Sequence, residues 1–359
     1  MDTIKNIFKA YDIKGLYEKE LTLHHAYLIG RAFGTISDGV VIVGHDSRTS
    51  SNALNTNLIK GLVETGVKVI DIGLVTTPIL YYAREFFGNP YAIMITGSDC
   101  DKDYNGFILC DNQGIMYDEK MGALLNIIAT SEFKEGIGSV EPYDLTYDYK
   151  KLMMDKITLG EKRLKAVVDC SNGVSSCFNP SIIKDWGVDV IELNCDIKND
   201  LKENITSFYD NGCASELKDK VIEENADLGV LFDDDGDRIL LVDENGKLIK
   251  NDMLMLIIWK SIYRTCRNKT ASFDVKSSSV LKKQLESLGL RTEYNKEGSA
   301  YLNNKVKEYN YDFAGEMSGH LCFNDDFYGY DDALYALGRL LKILSNINGK
   351  ISNFFNDNG

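Results

Sequence analysis

Short apolar runs, each followed by a polar turn and then by a stretch with helical spacing, recur along nearly the whole chain. The runs lie at residues 40–44, 67–72, 92–96, 164–169, 188–193, 228–232, 271–274 and 291–294. Runs this short suit buried strands, and strands that alternate with helices fold as α/β layers. Ser50 and Ser51 are placed to cap a helix whose Leu54, Leu58, Ile59 and Leu62 share one face. Thr77-Pro78 predicts another helix, with threonine as cap and proline at the first helical position. Further helices are expected from the apolar stretch after Asp252, over 279–288 and over 332–344. A polar segment at 135–149 separates a first unit from a second, and a third opens near Asp252. Three units of similar size are compatible with three copies of one architecture.

At about 100–200 residues per domain, 359 residues make two or three domains. No apolar run approaches the ~20 residues of a membrane span, and the first residues lack the basic start and apolar core of a signal peptide. Eight scattered cysteines without CxxC spacing read as reduced thiols of a cytoplasmic protein. The net charge of −14 argues against nucleic acid as a partner. A phosphate ester would need positive charge that is local or supplied by a metal.

The most specific segment follows the run at 228–232: Asp233-Asp234-Asp235-Gly236-Asp237-Arg238. In extended chain, Asp233, Asp235 and Asp237 point the same way, and three oxygen ligands on one side suit a hard cation such as Mg²⁺. Arg238 supplies a fork for phosphate or for a neighbouring carboxylate. The alternative is a solvated acidic turn. An EF-hand loop needs glycine after its third acidic ligand, where this chain has Arg238.

Three other segments carry candidate chemistry. Ser98 stands at the C-terminal tip of the run at 92–96, where α/β sheets place ligands. It is a candidate nucleophile or phosphoryl carrier, or else a helix cap. Glu316, Ser318 and His320 alternate in Gly315-Glu316-Met317-Ser318-Gly319-His320, offering acceptor, hydroxyl and imidazole to sugar hydroxyls. Near the N-terminus, Tyr11 and Lys14 in FKAYDIKG, with His45, Asp46 and Arg48 in GHDSR, bring cationic groups to an acidic chain, or form ordinary ion pairs.

Together and in this order, these segments resemble the α-D-phosphohexomutases, the phosphomannomutase/phosphoglucomutase family. FKAYDIKG resembles FRxYDIRG; GHDSR resembles GxDxR; ITGSDCDKDYNGF resembles the catalytic loop TxSHNPxxYNGxK; FDDDGDR resembles the metal loop DGDGDR; and GEMSGH is the family's sugar-recognition loop unchanged. VVDCSNG at 167–173 resembles the start of the second domain. The resemblance implies three consecutive α/β/α domains with mixed sheets: domain I over 1–145, domain II over 150–248 and domain III over 249–359. It implies a mutase that interconverts hexose 1-phosphate and hexose 6-phosphate through a phosphoserine. In that reading Ser98 carries the phosphoryl group and, with Asp233, Asp235 and Asp237, holds Mg²⁺. Lys14, Tyr11 and Arg238 assist the transfer. Glu316, Ser318, His320 and Lys276 bind the substrate. Glucose 1,6-bisphosphate or a similar compound is the expected activator.

The departures are specific. After Ser98 the family's His-Asn-Pro is replaced by Asp99-Cys100-Asp101, and a phosphoserine of charge about −2 is disfavoured beside carboxylates. The family's general acid/base lysine after NGF is Ile108, Ser299 replaces a domain III histidine, and the domain II histidine-proline stretch has no counterpart in LKENITSFYDNG. The family's fourth domain, with an Arg-x-Ser-Gly-Thr segment, is expected to be absent, the chain ending at Gly359. The alternative is a non-catalytic homologue that binds sugar phosphate or metal; a phosphatase-like remnant using Asp99 or Asp101 as base is a third reading.

Overall fold

The computed structural model describes residues 2–98, 100–198, 201 and 212–358. Asp99, and all but the end residues of LKENITSFYDNG, lie outside the described residues. The chain forms two compact units, residues 1–147 and 148–359.

The first unit holds a sheet of seven strands: β1 (Ile13–Leu16), β2 (Val40–His45), β3 (Lys68–Leu74), β4 (Tyr91–Ile95), β5 (Tyr104–Asp111), β6 (Gly114–Ile115) and β7 (Ser139–Pro142). Their order is β1-β5-β4-β2-β3-β7, with β6 paired to β5. β2 is parallel to β3 and β4, whereas β5 is antiparallel to β4 and β1. Val41, Ile42, Val43 and Ala92 to Ile95 are fully buried, as befits β-branched and apolar runs covered on both faces. The segment at 135–149, expected to be a separator, instead contributes β7, an exposed edge strand parallel to β3. The helix expected at Thr77-Pro78 runs Thr77–Phe86, but its cap is Thr76, whose hydroxyl accepts from Ile79 N at 3.4 Å; proline takes the second position.

The second unit holds two mixed sheets. One comprises β8 (Lys165–Asp169), β9 (Asp189–Leu193), β10 (Leu228–Phe232), β11 (Ile239–Asp243) and β12 (Leu248–Ile249), ordered β12-β11-β10-β8-β9. The other comprises β13 (Thr270–Asp274), β14 (Arg291–Asn295), β15 (Phe313–Gly315) and β16 (Leu321–Phe323), ordered β14-β13-β15-β16. The sheets of seven, five and four strands are less equal than the sequence suggests. The last two are joined into one body. Tyr149 Oη donates to Asp332 at 2.9 Å, Lys156 Nζ to Asp326 at 2.7 Å, and Gly160 N to Ser345 Oγ at 2.7 Å.

One rule positions the chemistry. In each sheet the parallel strands give way to an antiparallel return: β4 to β5, β10 to β11, β15 to β16. The serine loop, the aspartate loop and the Glu316–His320 segment are the connections at those three reversals. Polar groups gather there because the connection leaves the buried ladder and must satisfy its own backbone.

Candidate active site

Ser98 follows β4 directly and has φ +45°, a left-handed conformation that is uncommon for a residue with a side chain. Thr96 Oγ1 accepts from Ser98 N at 2.9 Å. Asp46, just after β2, accepts from Gly97 N at 3.2 Å and from Arg48 N at 3.0 Å. Arg48 is buried and donates to four carbonyls of the serine loop. The Ser50 and Ser51 hydroxyls make no cap on the helix Ser51–Val63. Both instead accept from Asn105 Nδ2 at 2.8 Å, and Ser51 Oγ donates to Asp46, so the expected capping groups serve the loop. Lys14 lies on β1 opposite Gly106, which stands two residues after the start of β5, and its Nζ is 3.5 Å from Asp12. Tyr11 immediately precedes that segment, and Ile108 is a buried member of β5. The Asp101 side chain is exposed.

Asp233, Asp235 and Asp237 are all buried, and each offers an oxygen within 4.8 Å of the others. They converge by a turn, not by strand alternation. Beyond Phe232 the chain bends, Gly236 adopts φ +80°, and Asp233 Oδ1 accepts from Gly236 N at 3.0 Å and Arg238 N at 3.1 Å. Arg238 Nε donates to Asp233 Oδ2 at 2.6 Å. The three carboxylates singled out by alternating spacing do come together, but through a turn and not through an extended strand. The turn is braced from the second unit's own sheet: Ser171 Oγ donates to Phe232 O at 2.7 Å, and Val174 N to Asp234 O at 2.8 Å.

Burial, and then repulsion from Asp237, push the Asp233 carboxyl up to about 8. For Asp237 burial acts in the same direction, but His320 and Arg238 outweigh it and hold this carboxyl well below the usual range. The loop thus sets three buried carboxyl groups beside two cationic neighbours, Arg238 and His320. A three-oxygen donor set of this kind fits a hard divalent cation. Asp237 Oδ1 is moreover buried without a hydrogen bond, with His320 Nε2 at 3.4 Å.

Glu316, Ser318 and His320 also converge through a turn, the hairpin between β15 and β16. Glu316 N donates to His320 O at 2.9 Å, and Gly319 N to Glu316 O at 3.1 Å. Ser318 Oγ donates to Glu316 Oε2 at 2.9 Å and lies 2.9 Å from His320 Nδ1. Asp274 Oδ1 accepts from Met317 N at 3.3 Å, Asn251 Nδ2 donates to Met317 O at 2.9 Å, and Gly298 N donates to Glu316 Oε1 at 2.8 Å. A backbone bridge between Arg238 and His320, with Ile239 N donating to Gly319 O at 3.3 Å, ties this hairpin to the aspartate loop. Burial opposes a charge on His320, but Asp237, Glu316 and Asp331 outweigh it and raise the imidazole well above its ordinary value. Lys276 is exposed and paired with Glu297 at 2.6 Å, next to the Gly298 that anchors Glu316.

The second unit therefore brings together Asp233, Asp235, Asp237, Arg238, Glu316, Ser318 and His320; Ser98, Tyr11 and Lys14 belong to the first. Sequence reasoning did not assign Asp331, 3.9 Å from His320 Nε2, nor Asp274, the anchor of Met317. Asp331 follows the Glu316–His320 hairpin in Tyr328-Gly329-Tyr330-Asp331-Asp332, which was a usable signal.

The same segments are matched in known proteins. Residues 5–135, 148–246 and 250–358 match the family descriptions "Phosphoglucomutase/phosphomannomutase, alpha/beta/alpha domain" I, II and III respectively. A phosphomannomutase/phosphoglucomutase of Pseudomonas aeruginosa is 39% identical over 347 residues, 95% of this chain and 74% of that protein. A phosphoglucomutase of Neisseria meningitidis is 32% identical over 350 residues, 95% of this chain and 75% of that protein. A solved phosphoglucomutase/phosphomannomutase family protein from Burkholderia thailandensis matches with a TM-score of 0.89 at 32% identity, over 99% of this chain and 80% of that one.

Proposed function

Because this chain belongs to the phosphoglucomutase/phosphomannomutase family, a family of isomerases, we propose that it interconverts the 1- and 6-phosphates of a hexose, mannose or glucose, through a phosphorylated Ser98. The observation that carries the proposal is the joined pair of loops in the second unit. A buried three-carboxylate turn is bridged, backbone to backbone, to the Glu316–His320 hairpin. We read residues 1–145, 150–248 and 249–359 as domains I, II and III of that family.

Asp233, Asp235 and Asp237 would hold Mg²⁺, and Ser98 would carry the phosphoryl group. Bound there, the ion neutralises charge on the phosphoryl oxygens. Glu316 accepts from a sugar hydroxyl, and Ser318 orients it. His320, in contact with Ser318 and held in its charged form by Asp237, Glu316 and Asp331, donates to a sugar or phosphate oxygen. Arg238 is fixed by Asp233 and presents its fork beside the same turn. Lys14, Tyr11 and Lys276 contribute to phosphate and sugar binding from their own loops. Glucose 1,6-bisphosphate is the proposed activator, because it delivers a phosphoryl group to Ser98 and leaves a substrate behind. The strongly acidic net charge supports a small-molecule partner and not nucleic acid. Among the described residues no helix is long and apolar enough to cross a membrane, in keeping with a cytoplasmic setting.

One observation favours a second reading. Ile108 is buried and apolar where the resemblance places a general acid/base lysine, and loss of such a group costs ~10²–10⁴ in rate. The second reading is a homologue that binds hexose phosphate without turnover. Intact mass before and after incubation with glucose 1,6-bisphosphate and Mg²⁺ separates the two. The mutase reading expects one added phosphoryl group on the parent protein and none on Ser98→Ala. No phosphoryl on the parent would leave the binding reading standing.

A further inference from the structure

The serine loop is held by its backbone. Arg48 Nη1 donates to Asp101 O at 2.7 Å and Tyr104 O at 2.9 Å; Nη2 donates to Ser98 O at 2.8 Å and Cys100 O at 2.8 Å. Its carboxylate partner Asp46, at 3.2 Å from Nε, is itself buried and accepts from Gly97 N. The loop side chains at Asp101, Lys102 and Asp103 are exposed. Ser98 meanwhile sits at φ +45°, a conformation that costs a residue with a side chain and persists only when its surroundings over-determine it. The bonds that do so on either side of it run from Arg48 to Ser98 O, from Ser98 N to Thr96, and from Gly97 N to Asp46.

We infer that Arg48 is the positioning residue of the serine loop, setting the Ser98 backbone so that the hydroxyl is presented for phosphoryl transfer. This rests on Ser98 being the phosphoryl carrier proposed above. A guanidinium is needed because its planar fork places several donors in fixed directions, and four carbonyls converge on them. A lysine ammonium carries the same charge without that geometry. Gly97 belongs to the same device. A Cβ added there would fall 2.4 Å from Arg48 Cζ, too close for either group to keep its place.

Two variants test this from opposite sides: Arg48→Lys keeps the charge beside Asp46, and Gly97→Ala keeps the guanidinium but displaces it. Three readouts are taken on each: melting temperature, amide hydrogen exchange resolved along the chain, and the rate of phosphoryl incorporation at Ser98 by intact mass over a glucose 1,6-bisphosphate series. In both variants exchange is expected to rise at least ~10-fold over residues 96–106 while the rest of the first unit holds its protection. The saturating rate of incorporation is expected to fall about 100-fold, the loss typical of a reacting group misplaced by roughly 1 Å, with the half-saturating bisphosphate concentration unchanged. Unchanged exchange in the loop overturns the inference. So does faster exchange spread over the whole first unit, which would make Arg48 a general stability residue, and so does a loosened loop with an unchanged saturating rate. A parent protein that takes up no phosphoryl group sinks the proposed function instead. A selective rise over 96–106 would then still establish Arg48 as the residue that sets the Ser98 backbone, and its absence would overturn that too.

Discussion

The serine loop of the first unit and the two loops of the second differ in how far their own carboxylates hold them. In the serine loop the main holding groups come from outside, Arg48 and Asp46, and they grip main-chain atoms. In the aspartate loop and the Glu316–His320 hairpin, outside groups such as Ser171, Asp274 and Asn251 also grip the main chain, but the loops' own side chains add a second hold: Asp233 closes its turn on Gly236 and Arg238, and Glu316 is bonded by Ser318. A loop gripped through its backbone tolerates new side chains more readily than one closed by its own. This accommodates the serine loop's departures from the phosphohexomutase pattern. Cys100 and Asp101 are foreign to it yet leave their carbonyls on Arg48, whereas GEMSGH is intact.

The largest effect expected from this contrast is in the self-held loop. Asp233→Ala removes the acceptor of two backbone N–H groups and the carboxylate on Arg238 Nε, all of them buried. Breaking a buried pair by removing one partner costs about 3–5 kcal/mol. Both tryptophans, Trp186 and Trp259, lie buried in the second unit, so urea unfolding followed by tryptophan fluorescence reports on that unit directly. The variant should unfold at clearly lower urea than the parent and lose the Mg²⁺-dependent rise in midpoint expected of the parent. An unshifted midpoint would mean that the turn does not depend on its own carboxylate, and the comparison would fail.

A smaller effect should appear as pH dependence confined to the second unit. Asp332 caps the helix Ala333–Leu344, accepting from Tyr335 N at 2.9 Å and Tyr149 Oη at 2.9 Å. Burial raises its carboxyl from 3.8 to about 7 despite those bonds. The folded state therefore holds a proton between about pH 4 and 7 that the unfolded chain has released, so this group's contribution to stability falls as pH rises through that window and is flat above it. The cost above pH 7 is on the order of 4 kcal/mol. Asp332→Asn keeps the cap and abolishes the titration. Its stability relative to the parent, by the same fluorescence, should improve from pH 4 to pH 8. A constant difference across that range would show that Asp332 does not titrate on unfolding.

These contrasts also mark what the sequence could reveal. Strands buried on both faces were legible from their apolar runs, and β10 was located to the residue. The antiparallel returns β5, β11 and β16 were not recognised: β5 begins with the Tyr-Asn-Gly of the serine-loop motif, and β11 and β16 are short runs that start directly after Arg238 and His320 and were absorbed into those motifs. The carboxylates of the aspartate loop were legible as a set from their alternate spacing directly after an apolar run. Their convergence was attributed to strand alternation because a turn closed by Asp233 on Gly236 cannot be seen in spacing alone. Arg48 read as a cationic group for an acidic chain or as an ordinary ion pair, not as a clamp on the serine loop. Its four carbonyl partners lie 50 to 56 residues downstream, and a backbone acceptor leaves no mark on side-chain identity.

The smallest effect expected tests the other half of the comparison. Asp101 contributes its carbonyl to Arg48, and its carboxylate is exposed. Asp101→Asn should therefore leave the first unit within about 0.5 kcal/mol of its stability, as for surface substitutions away from structural features. The remaining consequence is electrostatic. An exposed carboxylate near a phosphorylated Ser98 acts through water, where a pair of charges at 4 Å is worth about 1 kcal/mol. Removing it should strengthen phosphoryl uptake from glucose 1,6-bisphosphate by no more than about fivefold at low salt, and less at physiological ionic strength, where the screening length is about 8 Å. Uptake is followed by intact mass across a salt series. A gain much larger than this, persisting at high salt, would mean that the Asp101 carboxylate acts on Ser98 at short range in a desolvated site. The serine loop would then depend on its side chains as the aspartate loop does.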